Sequence, residues 1–188
     1  DVCSSDLTVT ARSSTPLFNV RVWFGTQDDW VGQTDRPTKE IGDWDADGNF
    51  VMLTTSTNSG ANTGKTLRVT SGSEGVFMTS ATANAKASSN SCCSFSNVYN
   101  NDPSAALTTR SGDGSYGLYL PIGDIPAGGT SSASIVYAAG PLSSLASAGQ
   151  QAQTAAVSAA VESPKAPPLP PPLPPPSPPP PSPRPPSS

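Results

Sequence analysis

Asp6–Gly25 reads DLTVTARSSTPLFNVRVWFG. From Leu7 to Ala11, and again from Phe18 to Trp23, apolar and polar side chains alternate with period two. That spacing collects the apolar ones on one face of an extended chain. Strands with one wet face belong to antiparallel sheets. Working outward from strands at Asp6–Ser13 and Leu17–Gly25, similar short segments recur at Asn49–Thr57, Thr66–Thr70, Gly75–Thr82, Ala105–Arg110, Tyr116–Ile122 and Ser132–Ala138. The turn signals DADGN, SGDGS and PAGG separate them. No stretch before Pro141 carries a 3.6-residue period. The pattern predicts an all-β head, a single β-sandwich over residues 1–162. Leu142–Ala160 is rich enough in alanine for a helix, yet QQAQTAAVSAAVES also reads as a small-residue strand. We assign a closing strand to Ala152–Glu162, able to pair within its own sheet or to complete a neighbour's.

Residues 163–188 form a second region, SPKAPPLPPPLPPPSPPPPSPRPPSS, with 16 prolines among the last 25 residues. Proline fixes φ near −65° and lacks the backbone donor, so this segment is neither helix interior nor paired strand. Its regular option is a polyproline II rod, roughly 75–80 Å long at ~3.1 Å per residue. Such a rod buries no core of its own. Holding it in a fixed place takes neighbouring subunits, attached glycans or both.

Composition excludes several functions. The net charge of −4, with its few cations scattered singly, leaves no basic stripe for nucleic acid. No apolar run nears the ~18 residues of a membrane span. Histidine is absent, which removes Ser-His-Asp and Cys-His nucleophiles and His-ligated metals. Carboxylate-pair hydrolysis remains formally open, but we expect no enzyme and assign no catalytic residue. The three cysteines are Cys3, Cys92 and Cys93. Adjacent cysteines rarely bridge each other, so the expected disulfide joins Cys3 to Cys92 or Cys93. It would close a loop of ~90 residues, worth about 4–5 kcal/mol on the chain-entropy model. The alternative is three reduced, buried cysteines in a cytosolic protein. A chain opening on Asp1 without Met reads as processed and secreted.

Asp43, Asp45, Asp47 and Asn49 fall in DWDADGN, the D-x-D-x-D-G spacing that wraps carboxylates around a hard cation such as Ca²⁺. Thr54 stands where an EF-hand places its bidentate Glu, and the competing account is an Asp-rich hairpin turn before Phe50. The run also looks like the calcium hairpin of integrin-type propeller repeats, with Val51 where those carry Asp. Trp30 and Trp44 sit beside aspartates and are candidates for a sugar-stacking platform; Trp23 reads as core. No Asn-X-Ser/Thr sequon occurs, so glycosylation would be O-linked.

Two resemblances add to this. GLYLPIGDIPAGGTSSASIVYAAG, then QAQTAAVSAAVE, resembles the last three strands of immunoglobulin-like adhesion and repeat modules, and DLTVTARSSTPLFNVRVWFG their first two. The implied head is an immunoglobulin-like or jelly-roll-type sandwich. In the tail, SPPPPSP and PPPLPPPSPPPP resemble the hydroxyproline-rich extracellular glycoproteins of plants and green algae: extensins, pherophorins and mastigoneme proteins. That likeness implies hydroxylation and O-glycosylation around Ser177 and Ser182, over Pro174, Pro175, Pro176, Pro178, Pro179, Pro180, Pro181 and Pro183. The expectation is a secreted structural subunit of an extracellular fibre, wall or flagellar surface that self-associates. Its contacts would lie on the closing strand, at Ala152, Val157 and Val161, and on Leu169 and Leu173, the only large apolar side chains of the tail. The alternatives are a carbohydrate-binding module on a proline-rich linker, and a proline-rich ligand of profilin or SH3 domains.

Overall fold

The computed structural model describes residues 2–53, 64–91, 103 and 109–162. Among these residues, ten strands build two antiparallel sheets. They are β1 (Val2–Thr10), β2 (Leu17–Thr26), β3 (Thr38–Trp44), β4 (Phe50–Met52), β5 (Thr66–Ser71), β6 (Glu74–Thr79), β7 (Lys86–Ser91), β8 (Thr109–Arg110), β9 (Gly114–Ile125) and β10 (Thr130–Pro141). The large sheet runs β1-β10-β6-β5-β3-β4, with β8 also on β3, and the small one runs β2-β9-β7. The chain crosses between sheets at Pro126–Gly129, where Gly128 takes φ +70° and its N–H meets the Ala11 carbonyl at 2.9 Å.

Period-two patterning has its expected consequence in the core between the sheets. Ile41, Leu67, Val69, Val76, Met78, Leu118, Leu120 and Ile135 are buried there, each large aliphatic contributing about 1.5–3 kcal/mol. Val22 packs against this core, so Trp23, one residue on, faces the other way. Its ring lies beside Gly25 and Gly117, where a Cβ would come within 2.8–2.9 Å of indole atoms. Trp23 is therefore half-buried on the outer face of the small sheet, not between the sheets.

The closing strand expected at Ala152–Glu162 is instead part of a 21-residue helix, α1 (Leu142–Glu162). Leu145, Gly149, Ala152 and Ala156 are buried at spacings of four, three and four, the period of one helical face. They cover Phe77, Val136 and Ala138 on the far side of the large sheet. Phe77, Val136 and Ala138 give the large sheet an apolar outer face, and the segment buries its small residues by lying across that face as a helix. Gly149 permits the close approach, since a Cβ there would lie 2.6 Å from Trp44 Cη2. The result is three layers: helix, large sheet and small sheet. No described helix is long and apolar enough to cross a membrane.

Candidate functional site

One end of the gap between the sheets opens into a cleft of about 670 Å³. Its outer lip is a tight turn after β2. Val31 and Thr34 exchange backbone hydrogen bonds of 3.0 and 3.3 Å, and Gly32 turns the chain at φ +61°. Trp30, at the tip, is 62% exposed, yet its indole N–H donates to the Gly32 carbonyl at 3.2 Å. The bond fixes the ring while leaving its face in solvent. Opposite stand the two-residue β5–β6 turn at Gly72-Ser73 and Glu74, whose Cγ lies 3.4 Å from where a Gly32 Cβ would be. Tyr137 on β10 and Tyr116 on β9 line the inner wall. Burial, then the neighbouring Tyr137 and Asp29, raise the Tyr116 phenol well above the ordinary tyrosine value. Burial chiefly, then Cys3, raises Tyr137. Both phenols are therefore neutral at neutral pH, each with a hydroxyl able to donate. An apolar indole face beside a carboxylate and hydroxyls suits a ligand with one apolar and one hydrogen-bonding face, as a sugar ring has.

Behind the cleft lies a charged pair. Asp29, adjacent to Trp30, and Lys39, on β3, are both fully buried, and the Lys39 ammonium contacts Asp29 Oδ2 directly. Lys39 Nζ also donates to the Gly112 carbonyl at 2.6 Å, whereas Asp29 Oδ1 has no hydrogen-bond partner among the described residues. A buried pair left incompletely hydrogen-bonded is expensive.

The DADGN hairpin joins β3 to β4. Asp45 organises it: its Oδ1 accepts the N–H of Asp47 at 3.0 Å and of Asn49 at 2.8 Å, and Gly48 sits at φ +82°. The Asn49 backbone bond above all holds the Asp45 carboxyl below its ordinary value. Asp43 pairs with Val51 in the ladder and accepts the Trp44 N–H at 2.9 Å. Among the described residues, no three Asp, Glu or Cys side chains converge as a metal-holding group. These bonds are those of an Asx-stabilised turn.

Trp30 and Trp44 do not share a platform. Trp44 lies beneath α1 with Phe77 and Phe50, ring centroids 4.9 and 6.0 Å away. The Arg68 guanidinium stacks 4.7 Å over Phe50 and bonds Glu40 at 2.7 Å. Of the expected assembly residues, Ala152 is fully buried under its own helix and offers no surface, while Val157 is 58% exposed. The Val161 side chain, Leu169, Leu173 and the stretch expected to be modified, Pro174–Pro183, lie outside the described residues. So do Cys92 and Cys93; Cys3 is exposed on β1, opposite Tyr137.

Sequence reasoning singled out Trp30 by its aspartates but missed Glu74 and the Asp29–Lys39 pair. Glu74 reaches the cleft only through strand pairings distant along the chain, and the ion pair forms only once β3 takes its place in the large sheet. The fold and cleft together define a helix-backed β-sandwich with an aromatic groove at one end. Comparison with protein-family models, curated proteins and solved structures finds no match to this chain.

Proposed function

We propose that the protein is a secreted, non-enzymatic structural subunit of an extracellular glycoprotein fibre or wall. In this account the head is an immunoglobulin-like or jelly-roll-type sandwich carrying a helix where those modules end on a strand. The tail, Ser163–Ser188, is a polyproline II strut, hydroxylated and O-glycosylated at Pro174–Pro183. Copies associate through heads and tails, and repeated head-to-tail contacts that do not close generate a filament. The supporting observation is the junction. The proline run begins directly after α1, whose Leu145, Ala152 and Ala156 are embedded against the large sheet. A stiff rod emerging from a fixed helix passes force to the whole sandwich, as a flexible linker would not. Replacing Leu169 and Leu173 together with serine is expected to weaken assembly, seen by electron microscopy or sedimentation, while circular dichroism of the head stays unchanged. Undiminished fibres from that variant would take these leucines out of the interface.

The cleft favours a second reading, carbohydrate binding, on its own evidence: a solvent-facing Trp30 held by its N–H beside Glu74 and two tyrosines. Trp30→Ala should abolish retention on a glycan array without lowering thermal stability, because the ring is exposed. Trp44→Ala should unfold the layer under α1 instead.

A further inference from the structure

The Asp29–Lys39 pair combines features that a purely ionic contact does not call for. Both side chains are sealed from solvent, amine nitrogen and carboxyl are in direct contact, and Asp29 Oδ1 is left unpartnered among the described residues. Two charges taken out of water with one oxygen unsatisfied are disfavoured. Passing one proton from the ammonium to the carboxylate removes both charges at no change in net charge. It leaves a neutral amine, which is a nucleophile, against a neutral carboxyl, which is an acyl donor, held at close approach.

We propose that Lys39 and Asp29 join in an intramolecular amide cross-link. The Nζ lone pair attacks Asp29 Cγ, and the Nζ–Cγ bond forms. One Cγ–O bond breaks, and that oxygen leaves as water with the acid proton and one amine proton. No oxidant or co-reactant is consumed. The product suits its surroundings: its single N–H has an acceptor in place, the Gly112 carbonyl 2.6 Å from Nζ. A neutral amide oxygen also tolerates the missing partner at Oδ1 better than a carboxylate does. The bond closes the segment from Asp29 to Lys39, which contains Trp30 and the Gly32 turn, and so staples the aromatic lip of the cleft to β3. The cross-link is independent of the fibre proposal.

The test is the mass of the full chain, made in a bacterial cytosol without secretory modification, then reduced and denatured. The expected mass is lighter by one water than the expressed sequence. Arg36 precedes Pro37 and resists trypsin, so the linked chain, uncut after Lys39, should give Val22–Lys65 lighter by one water, with no backbone fragments separating Asp29 from Lys39 in tandem spectra. Lys39→Met should restore the full mass; if that variant does not fold, the peptide map of the unsubstituted chain decides alone. Full mass, with Lys39 free to be acetylated in denaturant, overturns the proposal. A lost water mapped to a succinimide at Asp47-Gly48, with Asp29 and Lys39 unlinked, overturns it equally.

Discussion

Replacing Gly149 with alanine sets two effects of opposite sign against each other. In a helix exposed all round, Gly→Ala stabilises by about 1 kcal/mol, because glycine loses more backbone freedom on folding. Here the new methyl would sit 2.6 Å from Trp44 Cη2, 3.0 Å from Phe77 Cε2 and 3.1 Å from Trp44 Cζ3. The two rings are themselves packed at 4.9 Å with Phe50 behind them, so they have little room to yield. Overpacking of this kind costs about 1–3 kcal/mol. The net expectation is destabilisation of about 1 kcal/mol, a fall of roughly 2–4 °C in Tm for a domain of this size. The assay is thermal and urea unfolding of Gly149→Ala beside Ser158→Ala, an exposed position on the same helix, which should be neutral or slightly stabilising. A Gly149→Ala protein that is more stable by the full helix-propensity gain would refute the docking of α1 over Trp44.

Other expectations follow from the ionisable groups. Asp45 has a lowered folded value, so its contribution is present above the ordinary 3.8 and is lost as pH falls through the folded value. Asp45→Ala should lower stability at neutral pH and flatten the acid limb of the urea midpoint against pH; an unchanged limb would remove Asp45 as the keystone of the hairpin. Tyr116 and Tyr137 are raised, so the unfolded phenols ionise first. Their contribution is intact below 10.0 and declines as pH rises from there toward the folded values. Tyr116→Phe should shrink that alkaline loss, read from denaturant midpoints, and an identical alkaline slope would contradict its burial beside Asp29.

Most strands were legible because each carries alternating or β-branched residues of its own, and the three turn motifs lie where strands end. Two strands were not. β3, TKEIGDW, places Lys39 inward and Glu40 outward, and two consecutive charges hide a strand whose partners, Asp29 and Arg68, lie elsewhere in the chain. β7, KASSNS, has no β-branched or aromatic residue and is held by pairing with β9, which buries Ser88 and Ser89. The helix was misread because small residues satisfy either period. Its telling feature is the four-three-four spacing of Leu145, Gly149, Ala152 and Ala156, and the glycine within it makes sense only once Trp44 lies across it. The cleft was half legible: Trp30 stands out locally, but Glu74 and Tyr137 reach it through hydrogen bonding in the large sheet, which local sequence does not encode.

Tandem mass spectrometry of residues 163–188 from natively produced protein tests most directly whether this chain is, as proposed, a glycosylated building block outside the cell. Hydroxylated prolines bearing sugar within Pro174–Pro183 are the predicted result. A tail of plain, unmodified proline would contradict the account.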